Sequence, residues 1–204
     1  MRRALLGLVV AVLASLVVAA PANATVFREH FHGTIAEAGW FTSTSTSDTF
    51  TSVSASKSEL FVDVFTETFD ASGNFTGATD TFADVTGGFS FSINGKLSSA
   101  HVSGSDLPAQ TCTYDADFNL VGCTDTTVSV DVSWTATGPL SHGTFNDHFK
   151  VDGFSFNDHF SGASRDATAS GSVAGQALGA DDLEFADLLR ANSLSISRCI
   201  GANC

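Results

Sequence analysis

The sequence predicts an all-β fold: a single antiparallel meander domain, with a closed β-barrel favoured over a two-sheet sandwich and at most one short C-terminal helix. Three observations carry this. Ser, Thr, Val and Phe dominate runs that alternate apolar and polar residues with period two. Turn residues separate these runs, without the helical crossovers that parallel βαβ units need. The pentapeptide Phe-Asn-Asp-His-Phe also occurs twice, at 145–149 and 156–160, on either side of Asp152-Gly153. Asp-Gly between alternating runs is the strongest short-range hairpin signal, because a type I′ turn needs positive φ at both central residues. Closing a sequential sheet removes its exposed edges, which is why the barrel is favoured.

Taken in order, the chain begins with Arg2 and Arg3, an apolar run over 4–20 and the small-residue signal Ala22-Asn23-Ala24. Residues 1–24 therefore read as a cleaved secretory signal peptide, the run being short for a membrane span. Residues 25–204 are then expected to form one secreted domain, extracellular or at the cell surface, with no membrane insertion after cleavage. Strands are expected at 26–32, 36–43, 49–55, 59–69, 75–83, 88–93 and 96–103. They continue at 111–114, 120–136, 143–151, 154–160, 167–174 and 193–199. The run over 120–136 is long enough to need a bend or bulge. Residues 181–190 are the one segment compatible with a helix, though equally with another strand.

An internal repeat marks two turns. Residues 68–81 match 113–126, shifted by 45, at eight of fourteen positions, sharing an aromatic, Asp-Ala, a later Asn and a Gly. Asp and Asn hydrogen-bond their own backbone and tolerate left-handed conformation, so both copies suit hairpin tips. Asp115, Asp117 and Asn119 alternate like the start of a calcium loop, but Leu120 stands where such a loop needs Gly and no Glu closes it.

All four cysteines lie in the part expected to be exported, where disulfides persist. Four cysteines allow three connectivities. The simplest joins Cys112 to Cys123 across the second repeat turn and Cys199 to Cys204 in the tail.

The formal charge is −13, and loss of Arg2 and Arg3 with the signal would make it −15. Such a surface repels phosphate backbones and anionic lipid, so no nucleic-acid partner is expected.

Two sets of residues could carry chemistry. With Asp152-Gly153 as a two-residue loop, Asp147 faces Asp158, with a phenylalanine pair on each side. Facing carboxylates repel unless water, a shared proton, a basic side chain or a cation intervenes. A looser third copy of the pentapeptide, Phe27-Arg28-Glu29-His30-Phe31, would add Glu29 if the first strand lay beside the hairpin. The other face of the hairpin carries His148 and His159, which His30 could join, and imidazoles are common zinc and copper ligands. No cofactor is predicted from motifs; a divalent cation is the one such group these residues accommodate.

The second set lies on 59–69, where Phe61, Asp63, Phe65, Glu67 and Phe69 share a face. Acids there can act as gatekeepers against aggregation. An aromatic, acid-bearing face could equally take a small apolar or cationic ligand or an extracellular partner. There is no Gly-x-Ser-x-Gly elbow, His-Glu-x-x-His or phosphate loop. The reading is thus a secreted acidic β-domain for non-catalytic binding or for the cell surface. The alternative is a metal-dependent or carboxylate-pair enzyme using the Asp147/Asp158 hairpin.

Overall fold

The computed structural model describes residues 25–151 and 154–200, and every regular element among them is a strand. β1 (Thr25–Ser43), β2 (Ser47–Ser56), β3 (Leu60–Phe69) and β4 (Phe75–Val85) pair as successive neighbours. After β5 (Phe89–Ile93) comes β6 (Ser99–Tyr114), whose first half takes β5 and whose last residues take β4. Then follow β7 (Leu120–Ala136), β8 (Ser141–Val151), β9 (Phe154–Val173), the short β10 (Gln176–Leu178) and β11 (Leu183–Ile200).

β7 bridges β6 and β9, and β11 fills the place between β9 and β1. All pairings are antiparallel, and the neighbour path β1-β2-β3-β4-β6-β7-β9-β11 returns to β1, so the sheet is ring-like. Several expected short strands prove continuous: 26–32 and 36–43 fuse into β1, 96–103 and 111–114 into β6, 154–160 and 167–174 into β9. The extra residue of β7 is absorbed by an irregularity at Val121, and a second irregularity sets Ser105 and Asp106 of β6 against Ser129 alone.

Residues 181–190 form no helix. Within β11, Ala186 and Leu188 enter the core while Asp187 and Leu189 take the other face, a period of two. Pairing on both edges decides the conformation: Asp187 stands opposite Glu37 of β1 and Asp166 of β9, and a helix there would open the ring.

The core fills one part of the ring. On β7, Val128, Val130, Val132 and Trp134 are buried while the residues between them are exposed. They meet Ala36, Trp40, Val53, Leu60, Val62, Val102 and Leu188 from the surrounding strands. Trp134 reaches across and donates Nε1–H to the Glu37 carbonyl at 2.8 Å. Leu97, fully buried in the β5–β6 turn, caps this core, and Arg190 and Arg165 donate to the adjoining carbonyls of Gly95 and Lys96.

Cys112 and Cys123 are directly opposite on β6 and β7 and are bonded, as their spacing predicts. The Cys199–Cys204 bridge and residues 1–24 lie outside the described residues. A disulfide fits an oxidising, extracellular environment. No helix among the described residues is long and apolar enough to cross a membrane.

Two stability measurements test this core. Trp134→Phe removes the cross-ring bond and some buried volume, and should cost about 2–3 kcal/mol in urea unfolding. Replacing Cys112 and Cys123 together by Ser frees a short loop and should cost about 2–3 kcal/mol. An unchanged midpoint in either variant would refute the corresponding assignment.

Candidate functional site

The repeated pentapeptide folds as one hairpin in the expected register. Asp147 stands opposite Asp158, flanked by Phe145 opposite Phe160 and Phe149 opposite Phe156. Asn146 pairs with His159 and His148 with Asn157. Asp147 and His148 are exposed, whereas His159 is half-buried and donates from Nδ1 to Asn146 Oδ1 at 2.5 Å.

Glu29 is not beside this hairpin. β11 intervenes, so the register row runs Asp147, Asp158, Ile196, Glu29, which puts Glu29 two strand spacings, roughly 9–10 Å, from Asp158. His30 is likewise separated from His159 by Ser195. The side chains of Asp158, Glu29 and His30 lie outside the described part of the molecule. Among the described residues, no three His, Cys, Asp or Glu side chains gather as a metal site.

A buried meeting of carboxyls occurs on β3 and β4. Leu60 and Val62 enter the core, so the alternate face with Phe61, Asp63 and Phe65 points away from it. The register sets Asp63 opposite Phe82 and Phe65 opposite Asp80, a checkerboard of rings and acids. Asp63 and Asp80 are diagonal neighbours, each only 8 % exposed. Burial first, and then the hydrogen bond and charge of Asp80, push Asp63 up to about 8. Asp80 Oδ1 is buried without a hydrogen-bond partner, and the proton that Asp63 retains relieves the repulsion between the two carboxyls.

A second acidic row crosses β1, β11 and β9, where Glu37 stands between Ser54 and Asp187, and Asp187 beside Asp166. Burial and then the Asp187 charge raise Glu37 to about 7, against the opposing hydrogen bond from Ser54. Asp187 rises to about 6, through burial and then Asp166.

The two repeat turns complete this face at the pole opposite the ends where β8 and β9 pair Val151 with Phe154. In each, an Asp carboxylate caps its own loop: Asp70 accepts from the backbone of Ser72 and Asn74, and Asp115 from that of Asp117 and Asn119. The Asn74 side-chain amide and then these backbone bonds hold the Asp70 carboxyl below its ordinary range, and the Asn119 backbone and then its side-chain amide do so for Asp115. The Asp115 oxygens are thus engaged within the turn rather than directed at an ion.

The turns differ at their left-handed position, which is Gly73 in one and Phe118 in the other. Packing offsets the Phe118 backbone strain. Its ring lies 5.3 Å from Tyr114, 5.6 Å from Phe75 and 6.2 Å from Phe65. Phe118 is nevertheless 52 % exposed, and Leu120 and Val121 beside it are 59 % and 68 % exposed. Burial and the nearby Asp80 charge also raise the Tyr114 hydroxyl.

The sequence reading found Asp63 and its phenylalanines but missed Asp80, the Glu37 row and Phe118. Asp80 was findable, since Asp80, Phe82 and Asp84 alternate as 61–69 do and the turn at 70–74 fixes the register between them. No protein-family model matches this chain, and no curated protein or solved structure is significantly similar to it.

The raised carboxyls set the pH dependence of stability. Between the ordinary Asp value of 3.8 and about 8, folded Asp63 holds a proton that the unfolded chain releases, and Glu37 and Asp187 do so over narrower windows. Stability should therefore fall as pH rises through this range, with Tm lower by about 3 °C or more at pH 8 than at pH 5. Asp63→Asn should flatten that slope. A Tm that rises from pH 5 to pH 8 would contradict the buried pair.

Proposed function

We propose that this chain is a secreted, non-catalytic binding domain, working outside the cell or at its surface, whose partner is both apolar and cationic. The observation that carries the reading is the aromatic pole: Phe118, Leu120 and Val121 stand more than half exposed beside stacked rings and the Phe–carboxylate checkerboard. Exposed apolar clusters rimmed by polar groups mark interaction sites. Aromatic faces and a strongly acidic surface both attract cations. The same charge disfavours nucleic acid and anionic lipid. The Cys112–Cys123 bond supports an extracellular setting.

The second reading, a metal-dependent or carboxylate-pair enzyme, is favoured by one observation, the facing register of Asp147 and Asp158. Native mass spectrometry with elemental analysis separates it from the first. A stoichiometric divalent cation lost in Asp147→Asn would support the enzyme.

The binding reading is tested by calorimetric titration with a Phe/Lys peptide and its Phe/Glu counterpart. The Lys peptide should bind with salt-sensitive affinity, and the Glu peptide should not. Phe118→Gly combined with Val121→Thr copies the residues of the sister turn, Gly73 and Thr76, so the turn is retained while exposed apolar surface is lost. Binding should weaken about tenfold or more in that variant. Equal affinity for both peptides, or no change in the variant, would overturn the proposal.

A further inference from the structure

The geometry points to a second site at the opposite pole: we propose that the cleft beside the β-bulge of β1 and β11 binds a small organic anion with an apolar body. In a chain with 22 acidic residues, two of the seven basic residues after position 24, Lys57 and Arg190, line this one cleft. Lys57 sits on the β2–β3 turn and Lys96 on the β5–β6 turn, while Arg165 and Arg190 donate to the adjacent carbonyls of Lys96 and Gly95. None of the four forms an ion pair with a carboxylate among the described residues. Cations that share a cleft repel one another, and a bound anion relieves that repulsion.

The bulge makes the room. Asn192 is an extra residue of β11: Ala191 and Ser193 stand opposite the consecutive Gly162 and Ser161 of β9. On the β1 side, Ala191 and Leu194 stand opposite Gly33 and Phe31, leaving His32 against the irregular segment. His32 donates from Nδ1 to the Asn192 carbonyl at 2.8 Å and fixes the bulge. Bulges commonly re-aim side chains beside binding sites. At this level β2 has already ended at Ser56 and the chain turns away through Lys57, so the edge of β1 is open.

The result is a cleft of about 370 Å³ whose walls include Phe31, Lys57, Arg190 and Ala191. That volume lies at the small end of the range for small-molecule sites. Arg190 offers a planar fork of five N–H donors, one of which is engaged by Gly95. Lys57 adds an exposed ammonium. The Phe31 ring lies over Gly33, where a Cβ would come within 2.9 Å of Cζ, so an aromatic surface adjoins the cations. A carboxylate, sulfonate or sulfate carried on a ring or short chain matches that combination.

Titrating the chain from residue 25 onward with naphthalene-2-sulfonate and with 2-naphthylmethylammonium separates charge from shape. The sulfonate should bind with an affinity that falls as salt rises. Lys57→Glu, on an exposed turn, should weaken it about tenfold or more without moving Tm. Arg190→Lys, which keeps the charge but loses the planar fork, should weaken it by a smaller factor. Phe118→Gly, at the other pole, should leave it unchanged. The proposal is overturned if the sulfonate does not bind, if it binds Lys57→Glu as tightly as the unaltered chain, or if the ammonium analogue binds equally well.

Discussion

A strand edge carries a row of unpaired N–H and C=O groups, and the arrangement of this molecule depends on what pairs with the edge of β1 that faces away from β2. The segment that does it is β11, which bonds to β1 on one side and β9 on the other. Local hairpins account for β1 to β4 and for β8 with β9. Only the pairing of β1 with β11, across most of the described chain, returns the path to its start. The enclosed core and both poles follow from that closure.

Closure also separates what the sequence reveals from what it hides. The hairpin at 145–160 was legible because its information is local: period-two alternation in the two pentapeptide copies specifies the facing residues, while the Asp152-Gly153 loop itself lies outside the described residues. The turn at 115–119 and the Cys112–Cys123 bond were legible for the same reason. Which strand lies beside β1 is a non-local fact, and no residue within 25–43 encodes it. Glu29 therefore ended two strands from Asp158, with Ile196 between them. The helix alternative at 181–190 failed similarly, since pairing partners on both edges outweighed local propensity.

The two faces of the sheet solve different problems. Toward the core, Val, Ala, Leu and Trp fill the ring with little polar content. On the outward face, phenylalanines alternate with Asp63 and Asp80, and burial makes Asp63, Glu37 and Asp187 hold protons more tightly than free side chains do. These acids weaken the folded state at neutral pH. Burying the same positions with aliphatic residues would avoid that cost, but the outward face would then be continuously apolar, and exposed apolar sheet faces aggregate.

Thr25 and Ile200 stand opposite each other where β1 begins and β11 ends. In an antiparallel ring, this puts both on the pole of the 145–160 hairpin, while the turns at 70–74 and 115–119 cap the far pole. Anything joined to either end of the ring emerges from one place. A tether, a fused domain or a surface attachment at either end would hold the molecule by its hairpin pole and project Phe118 outward, on the side away from the point of attachment.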